Sequence, residues 1–319
     1  MTWRGVGLLL GLVLVAGCGD RTTEPSGMRE PTGQPRPVVL EPGQLVWAQR
    51  STIHVGEKTY DVSPQLVQSM SWTPYGLYLR LTKDPDNGPF HESFFDGTTL
   101  EPVRDVYAFD RVITSPSGRL AAWVERNGPK RPAGRVAQAV VVDTATGERV
   151  YENADGMGGE KGDDLADRYE ELSPGVIDLT DERLVWRNAE GSGAIVTSDL
   201  TTGESTTSEH GPRLEPTTGY DFWSPDGRYR VDARTTGKLR VRHRQVDFGH
   251  RFQTQGGWLD DHTMLVLAQD RFPMSFDSTV PDTIPGYLLA CDLDAATCKQ
   301  LLEVKGAREV VFPGVDAEY

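Results

Sequence analysis

Cysteine is scarce, with three in 319 residues. That rules out a disulfide-dense scaffold and the paired-cysteine spacing of a structural zinc site. Beyond residue 17 no apolar run approaches the ~20 residues that cross a bilayer as a helix. Basic charge is in deficit, 33 Lys and Arg against 47 Asp and Glu for a net −14. Such a chain lacks the positive footprint that nucleic acid or anionic headgroups demand, so no nucleic-acid partner is expected. The six histidines, His54, His91, His210, His243, His250 and His262, form no His-Glu-x-x-His pattern, and each reads as a surface or satisfied strand residue. Ser192 stands between Gly191 and Gly193, but without the five-residue nucleophile elbow or an alternation of strands and helices around it. No catalytic residue is assigned, and catalysis is not expected.

What is present begins with a leader. Arg4 precedes an apolar run from Val6 to Val15, then the small pair Ala16-Gly17, then Cys18. Charge, apolar run and small residues in that order make a secretion signal. Val15-Ala16-Gly17-Cys18 resembles the bacterial lipobox, which implies a diacylglyceryl group on Cys18 and cleavage before it. Residues 1–17 are therefore expected to be a signal peptide, and 18–40, rich in Pro, Gly, Thr and charge, a disordered tether. Residues 41–319 form the folded domain. The expected location is extracytoplasmic, anchored by lipid to a bacterial cell membrane. In that oxidising setting the remaining cysteines, Cys291 and Cys298, are expected to pair.

Self-similarity sets the expected fold. Residues 222–229 read FWSPDGRY, and variants recur at 71–76 (SWTPYG), 114–119 (TSPSGR) and 258–261 (WLDD). Proline presets a turn, Asp or Ser bonds to its backbone, and Gly takes a positive φ. A second hairpin follows in each unit, at 140–150, 195–206 and 288–301, always a strand, an Asp, a turn and a return strand. Four-stranded units of roughly 40 residues point to an all-β propeller. Units are placed at 69–103, 111–151, 176–208, 220–250 and 255–304. A sixth is assembled from 44–62 and the lone strand 308–314, so that the ring closes by pairing the N- and C-terminal strands; seven blades is the alternative. The Ser-Pro-Asp-Gly turn after an aromatic strand resembles TolB-like and WD-repeat-like β-propellers over most of residues 43–315, which implies a fold more than a function. Trp72, Trp123, Trp186, Trp223 and Trp258 read as packing between blades.

Four long segments, 82–92, 126–138, 152–175 and 270–286, are expected on one face, where binding usually lives. Arg126, Lys130, Arg131 and Arg135 form a basic loop, and Asp155, Glu160, Asp163, Asp164 and Asp167 belong to an acidic one. They pair with each other, read a charged ligand, or stay solvated. Calcium is the one cofactor with any basis, on the acidic loop or on the stretch 84–88, and neither matches a full EF-hand. The expected function is a monomeric, membrane-anchored module that binds a protein, peptide or glycan through the long-loop face. The alternative is a metal-dependent hydrolase or lyase with its site in the central channel.

Overall fold

The computed structural model describes residues 27–41, 43–85, 88–106, 111–191, 193–208, 221–224, 228–232, 239–241, 244–246, 249–271 and 283–313. Residues 1–26, and with them the leader and Cys18, lie outside these, as does most of the Ser224–Gly227 turn.

Among the described residues, six four-stranded antiparallel sheets and one two-stranded ribbon make up the architecture. The first joins Val46–Gln49, Thr52–Val55 and Lys58–Asp61 to the late strand Val310–Val311, which pairs Ala48 with Val311. The second runs through Leu66–Thr73, Gly76–Thr82, Phe90–Phe95 and Leu100–Val106. The third uses Ile113–Thr114, Leu120–Glu125, Gln138–Asp143 and Arg149–Asn153, and the fourth Gly175–Leu179, Arg183–Arg187, Ile195–Asp199 and Ser205–Ser208. The fifth contains Asp221–Trp223, Arg230–Asp232, Leu239–Val241 and Arg244–Val246, and the sixth Phe252–Trp258, Thr263–Gln269, Pro285–Asp292 and Thr297–Lys305. Cys291 and Cys298 face each other across the last hairpin of the sixth sheet and are joined by a disulfide.

The hairpin turns follow from the recurrent aspartates. Asp96, Asp199 and Asp260 each accept the backbone N–H groups two and three residues on, at Thr98 and Thr99, Thr201 and Thr202, and His262 and Thr263. This is an Asx turn, and it satisfies donors that the ladder leaves over. Donors at Thr202 and Thr201 hold Asp199 below the usual carboxylate range. Partial burial opposes ionisation of Asp96 and Asp260, but the hydrogen bonds they accept outweigh it and bring Asp96 down to about 2. A carboxylate depressed in the fold contributes stability above its unfolded pKa and loses it as pH falls through the folded value. Resistance to denaturant is therefore expected to drop as pH falls from about 4 to 2, and Asp96→Asn should flatten that part of the profile. At another turn, Gly76 has φ +150, and a Cβ there would meet the Phe95 carbonyl oxygen at 2.2 Å.

Central strands are buried on both faces. Gly76–Thr82 is buried throughout. Leu77, Leu79 and Leu81 pack toward the first sheet with Ile53, Val55 and Val67, while Tyr78 joins Phe94, Trp123 and Val140 toward the third. Gln138–Asp143 repeats the arrangement: Val140 and Val142 face the second sheet, and Ala139 and Val141 face the fourth, where Leu184 and Trp186 lie. A buried ion pair reinforces the joint between the second and third sheets. Glu92 accepts from the Arg104 guanidinium at 2.9 and 3.1 Å and from Val112 N–H, and Arg104 also donates to the Val124 carbonyl.

These joints correct the expected ring. Apolar clusters couple the fifth sheet (through Tyr229) to the sixth, the sixth to the first, the first to the second, the second to the third and the third to the fourth. Closing six sheets into a ring takes six joints. Among the described residues none couples the fourth sheet to the fifth, and none of the sheets closes into a barrel. The pairing of Val310–Val311 with Val46–Gln49 completes one sheet and does not close the array. Among the described residues the six- or seven-bladed closed propeller is therefore replaced by six separate four-stranded sheets, none closed into a ring. The resemblance to TolB-like and WD-repeat-like propellers rested on a turn motif, and that motif specifies hairpins without specifying closure.

Residues 27–40, read from composition as a tether, instead lie along the sheets as a strap. Met28 N–H donates to Leu200, Arg29 N–H to Val150, Arg36 N–H to Ala145, and Val39 and Leu40 N–H to Pro74. Leu40 is 3% exposed and belongs to the core of the first and second sheets.

Candidate functional site

Every sheet has two ends of different character. At one, the turn end, lie the tight turns between its first and second and its third and fourth strands. At the other, the loop end, lie the connections between central strands and the links to the next sheet.

At the loop end of the third and fourth sheets the segments 126–138 and 152–175 pack together. Lys130–Arg131 and Gly134–Arg135 form a two-stranded ribbon. The helix α1, Leu165–Leu172, is capped by Asp164, whose carboxylate accepts from Ala166 and Asp167 N–H. Its one buried residue, Tyr169, donates to the Met157 carbonyl and accepts from Ala137 N–H, tying the two loops together. Burial raises the Tyr169 pKa, while Arg131, Arg168 and Arg126 pull the other way.

The charges meet differently from a simple acid–base pairing. Arg131 donates to the backbone carbonyls of Gly158 and Ala154, and Arg135 to that of Gly128. Arg126 lies 5.8 Å from the Tyr169 ring centroid. Asp163 accepts from Gly159 and Glu160 N–H and from Arg168, within its own loop, and those amides hold its carboxyl low. Lys130, Asp155, Glu160 and Asp167 are exposed. Asp163 and Asp164 thus build the loop that carries them. No group of three or more His, Cys, Asp or Glu able to hold a metal occurs among the described residues.

A second arrangement stands at the loop end of the sixth sheet. His250 lies just before strand Phe252–Trp258, and Asp270 just after strand Thr263–Gln269. The register opposes Phe252 to Gln269, which brings the residues beyond them together. His250 Nδ1 is 3.1 Å from Asp270 Oδ1. The imidazole stacks on Tyr287 at 4.8 Å between centroids and 25° between planes. His250 is 19% exposed and Asp270 60%. An ionised carboxylate only accepts, so this bond puts a proton on Nδ1, and in the neutral ring the lone pair is then on Nε2. Orienting a base through its far nitrogen is how carboxylates prepare histidines for proton transfer. Sequence reading missed the pair because 20 residues separate its members. The detectable signal was the hairpin register. Residues 272–282 of the connecting loop lie outside the described residues.

No protein-family model matches this chain, and no curated protein does. The descriptors lipoprotein, membrane and secreted therefore gain no support from relatives, and among the described residues no helix is long and apolar enough to cross a membrane. Solved structures give distant likenesses. A Mycobacterium tuberculosis puromycin-hydrolyzing peptidase is 12% identical, with 88% of this chain and 48% of that one covered and a TM-score of 0.38. An oligogalacturonate lyase in complex with manganese is 12% identical over 81% of this chain and 74% of that one, with a TM-score of 0.32. An oligogalacturonate lyase from Vibrio parahaemolyticus is 12% identical over 87% and 79%, with a TM-score of 0.35. This chain spans about half the length of the peptidase. Likeness this slight carries no argument about activity. The expectation of a non-catalytic binding module on a closed propeller is corrected on the structure itself: among the described residues the ring is absent, and the sixth sheet holds a histidine bonded to a carboxylate.

Proposed function

We propose that the protein is a hydrolase or lyase whose proton-transfer base is His250, oriented by Asp270. The observation that carries this reading is the 3.1 Å contact between Nδ1 and the carboxylate on a ring braced by Tyr287. An imidazole is the side chain best suited to exchange a proton near neutral pH. In hydrolysis, Nε2 takes a proton from water as its oxygen bonds to the substrate's acyl carbon, then returns it to the leaving group. In elimination, Nε2 takes the proton from carbon, the freed electron pair forms a carbon–carbon double bond as the carbon–oxygen bond beyond it breaks, and the leaving oxygen takes a proton from the imidazolium or from water. Calcium on the acidic loop stays a separate proposal, in competition with the bonds Asp163 and Asp164 already make. Contact of a charged substrate with exposed Lys130, Glu160 and Asp167 is likewise a proposal.

We propose an extracytoplasmic place for the chain, attached at a bacterial membrane through Cys18. The order of residues in the leader supports this, and so does the Cys291–Cys298 bond, since disulfides persist in oxidising compartments.

The test is turnover of p-nitrophenyl esters, aminoacyl naphthylamides and a polyuronate whose elimination product absorbs in the ultraviolet. The expected result is turnover of one class, reduced by about 10²–10⁴-fold in His250→Gln and reduced also in Asp270→Asn, with the melting temperature nearly unchanged. Full activity in His250→Gln, or a folded protein inert on all three classes, would overturn the reading.

A further inference from the structure

The strap gives the domain a direction. It runs over the fourth, third and second sheets, and its backbone partners stand at or beside their turn ends, while the Arg29 side chain alone reaches farther along a strand, to Glu152. Met28 bonds to Leu200 in the last turn of the fourth sheet, at 2.6 Å. Gly27 packs so closely on the adjacent Thr201 that a Cβ would lie 2.0 Å from its carbonyl oxygen. On the third sheet Thr32 N–H donates to Glu148, Arg36 N–H to Ala145, and the Arg29 guanidinium to Glu152. On the second, Arg36 reaches Glu101 and lies 4.1 Å from the Phe94 ring centroid, and Val39 and Leu40 bond to Pro74. Gly27, where the description of the chain begins, therefore stands at the turn end of the domain. His250 and Asp270 stand at the opposite end of the sixth sheet.

We propose that the turn end is the face turned toward the membrane and that the loop end carrying His250 and Asp270 is turned away from it. The proposal rests on the attachment through Cys18 stated above and adds which face meets the lipid. The connection is short: nine Cα–Cα steps separate Cys18 from Gly27, at most about 30 Å when fully extended. The long strands of the sixth sheet, 7 to 9 residues, set a height of about 25–30 Å between the two ends. To lay the loop end on the lipid, the connection would have to stretch nearly taut along the whole side of the domain, forfeiting its conformational freedom. With the turn end on the lipid it stays slack. The dyad then opens toward substrates arriving from the surroundings rather than from the bilayer.

The experiment uses the full chain, processed in a bacterium and reconstituted into phosphatidylcholine vesicles containing a nickel-chelating lipid. A nitroxide is attached at Glu57→Cys, an exposed turn-end position, or at Asn127→Cys, an exposed loop-end position. Cys291 and Cys298 are bonded to each other and do not compete for the label. Nickel is expected to relax the label at 57 several-fold more than the label at 127. Inserting twenty Gly-Ser residues between 26 and 27 should bring that ratio close to one. Equal or reversed relaxation in vesicle-bound protein would overturn the orientation alone, as would a contrast that survives the insertion. Protein left in solution, with neither label relaxed, would overturn the attachment reading and the orientation with it.

Discussion

Glu92→Ala is expected to destabilise the protein by about 3–5 kcal/mol, measured by denaturant unfolding. Glu92 is 2% exposed and the Arg104 side chain 9%, so removing the carboxylate takes away the counter-charge that a guanidinium held out of water meets at 2.9 Å. It also leaves Val112 N–H without that acceptor. A buried pair is worth much less than the cost of breaking it, because both charges were desolvated to form it. The double variant Glu92→Leu with Arg104→Met should therefore recover most of the loss. Were Glu92→Ala to cost under about 1 kcal/mol, the typical value of an exposed ion pair, the joint between the second and third sheets would have to be far wetter than it stands here. The same joint carries Tyr78 and Trp123, so its near-ultraviolet signal should fall together with stability.

The local units of this fold were legible, and their assembly was not. The pattern of strand, Asp, turn and return strand marks Asp143, Asp199 and Asp292 because the chemistry is confined to a few residues: the carboxylate accepts amides two or three residues beyond it. Closure depends on what lies between the fourth and fifth sheets, and no periodicity within a sheet reports on that. The strap was hidden for a related reason. Its sequence, GMREPTGQPRPVV, has no apolar periodicity, since it bonds mainly through backbone amides and through Arg29 and Arg36 to carboxylates far along the chain. Composition alone makes such a segment look unfolded.

The site was less legible than the fold. Charge counting found the loops 126–138 and 152–175 but could not say what their charges do. Arg131 is spent on carbonyls and Asp163 on amides, so two of the most suggestive residues serve the loops' own structure. His250 looked unremarkable because its partner belongs to the neighbouring strand. A base and the group that orients it meet across a hairpin, and only register brings residues 250 and 270 side by side.

Trp186→Ala is expected to cost about 3–5 kcal/mol. Trp186 is fully buried between the third and fourth sheets, among Leu120, Val141, Leu184 and Val196. Truncation removes the indole's apolar surface and leaves a cavity that the flanking strands, held in their ladders, can refill only by shifting. A second variant separates shape from polarity. The indole Nε1 is buried without a hydrogen-bond partner among the described residues, a defect worth about 1–3 kcal/mol against the fold. Trp186→Phe removes that donor while keeping most of the ring. Its lost volume and its relieved donor oppose each other, and its net effect should stay within about 1 kcal/mol of zero. A loss as large as that of Trp186→Ala would show that the indole nitrogen has found a partner, such as a buried water, and that the joint is held by a polar contact as well as by packing. Among the described residues the fourth sheet has its apolar joint with the third alone, so Trp186→Ala should loosen residues 175–208 ahead of the rest. Hydrogen exchange should show their amides losing protection first, while those of the first and second sheets stay slow.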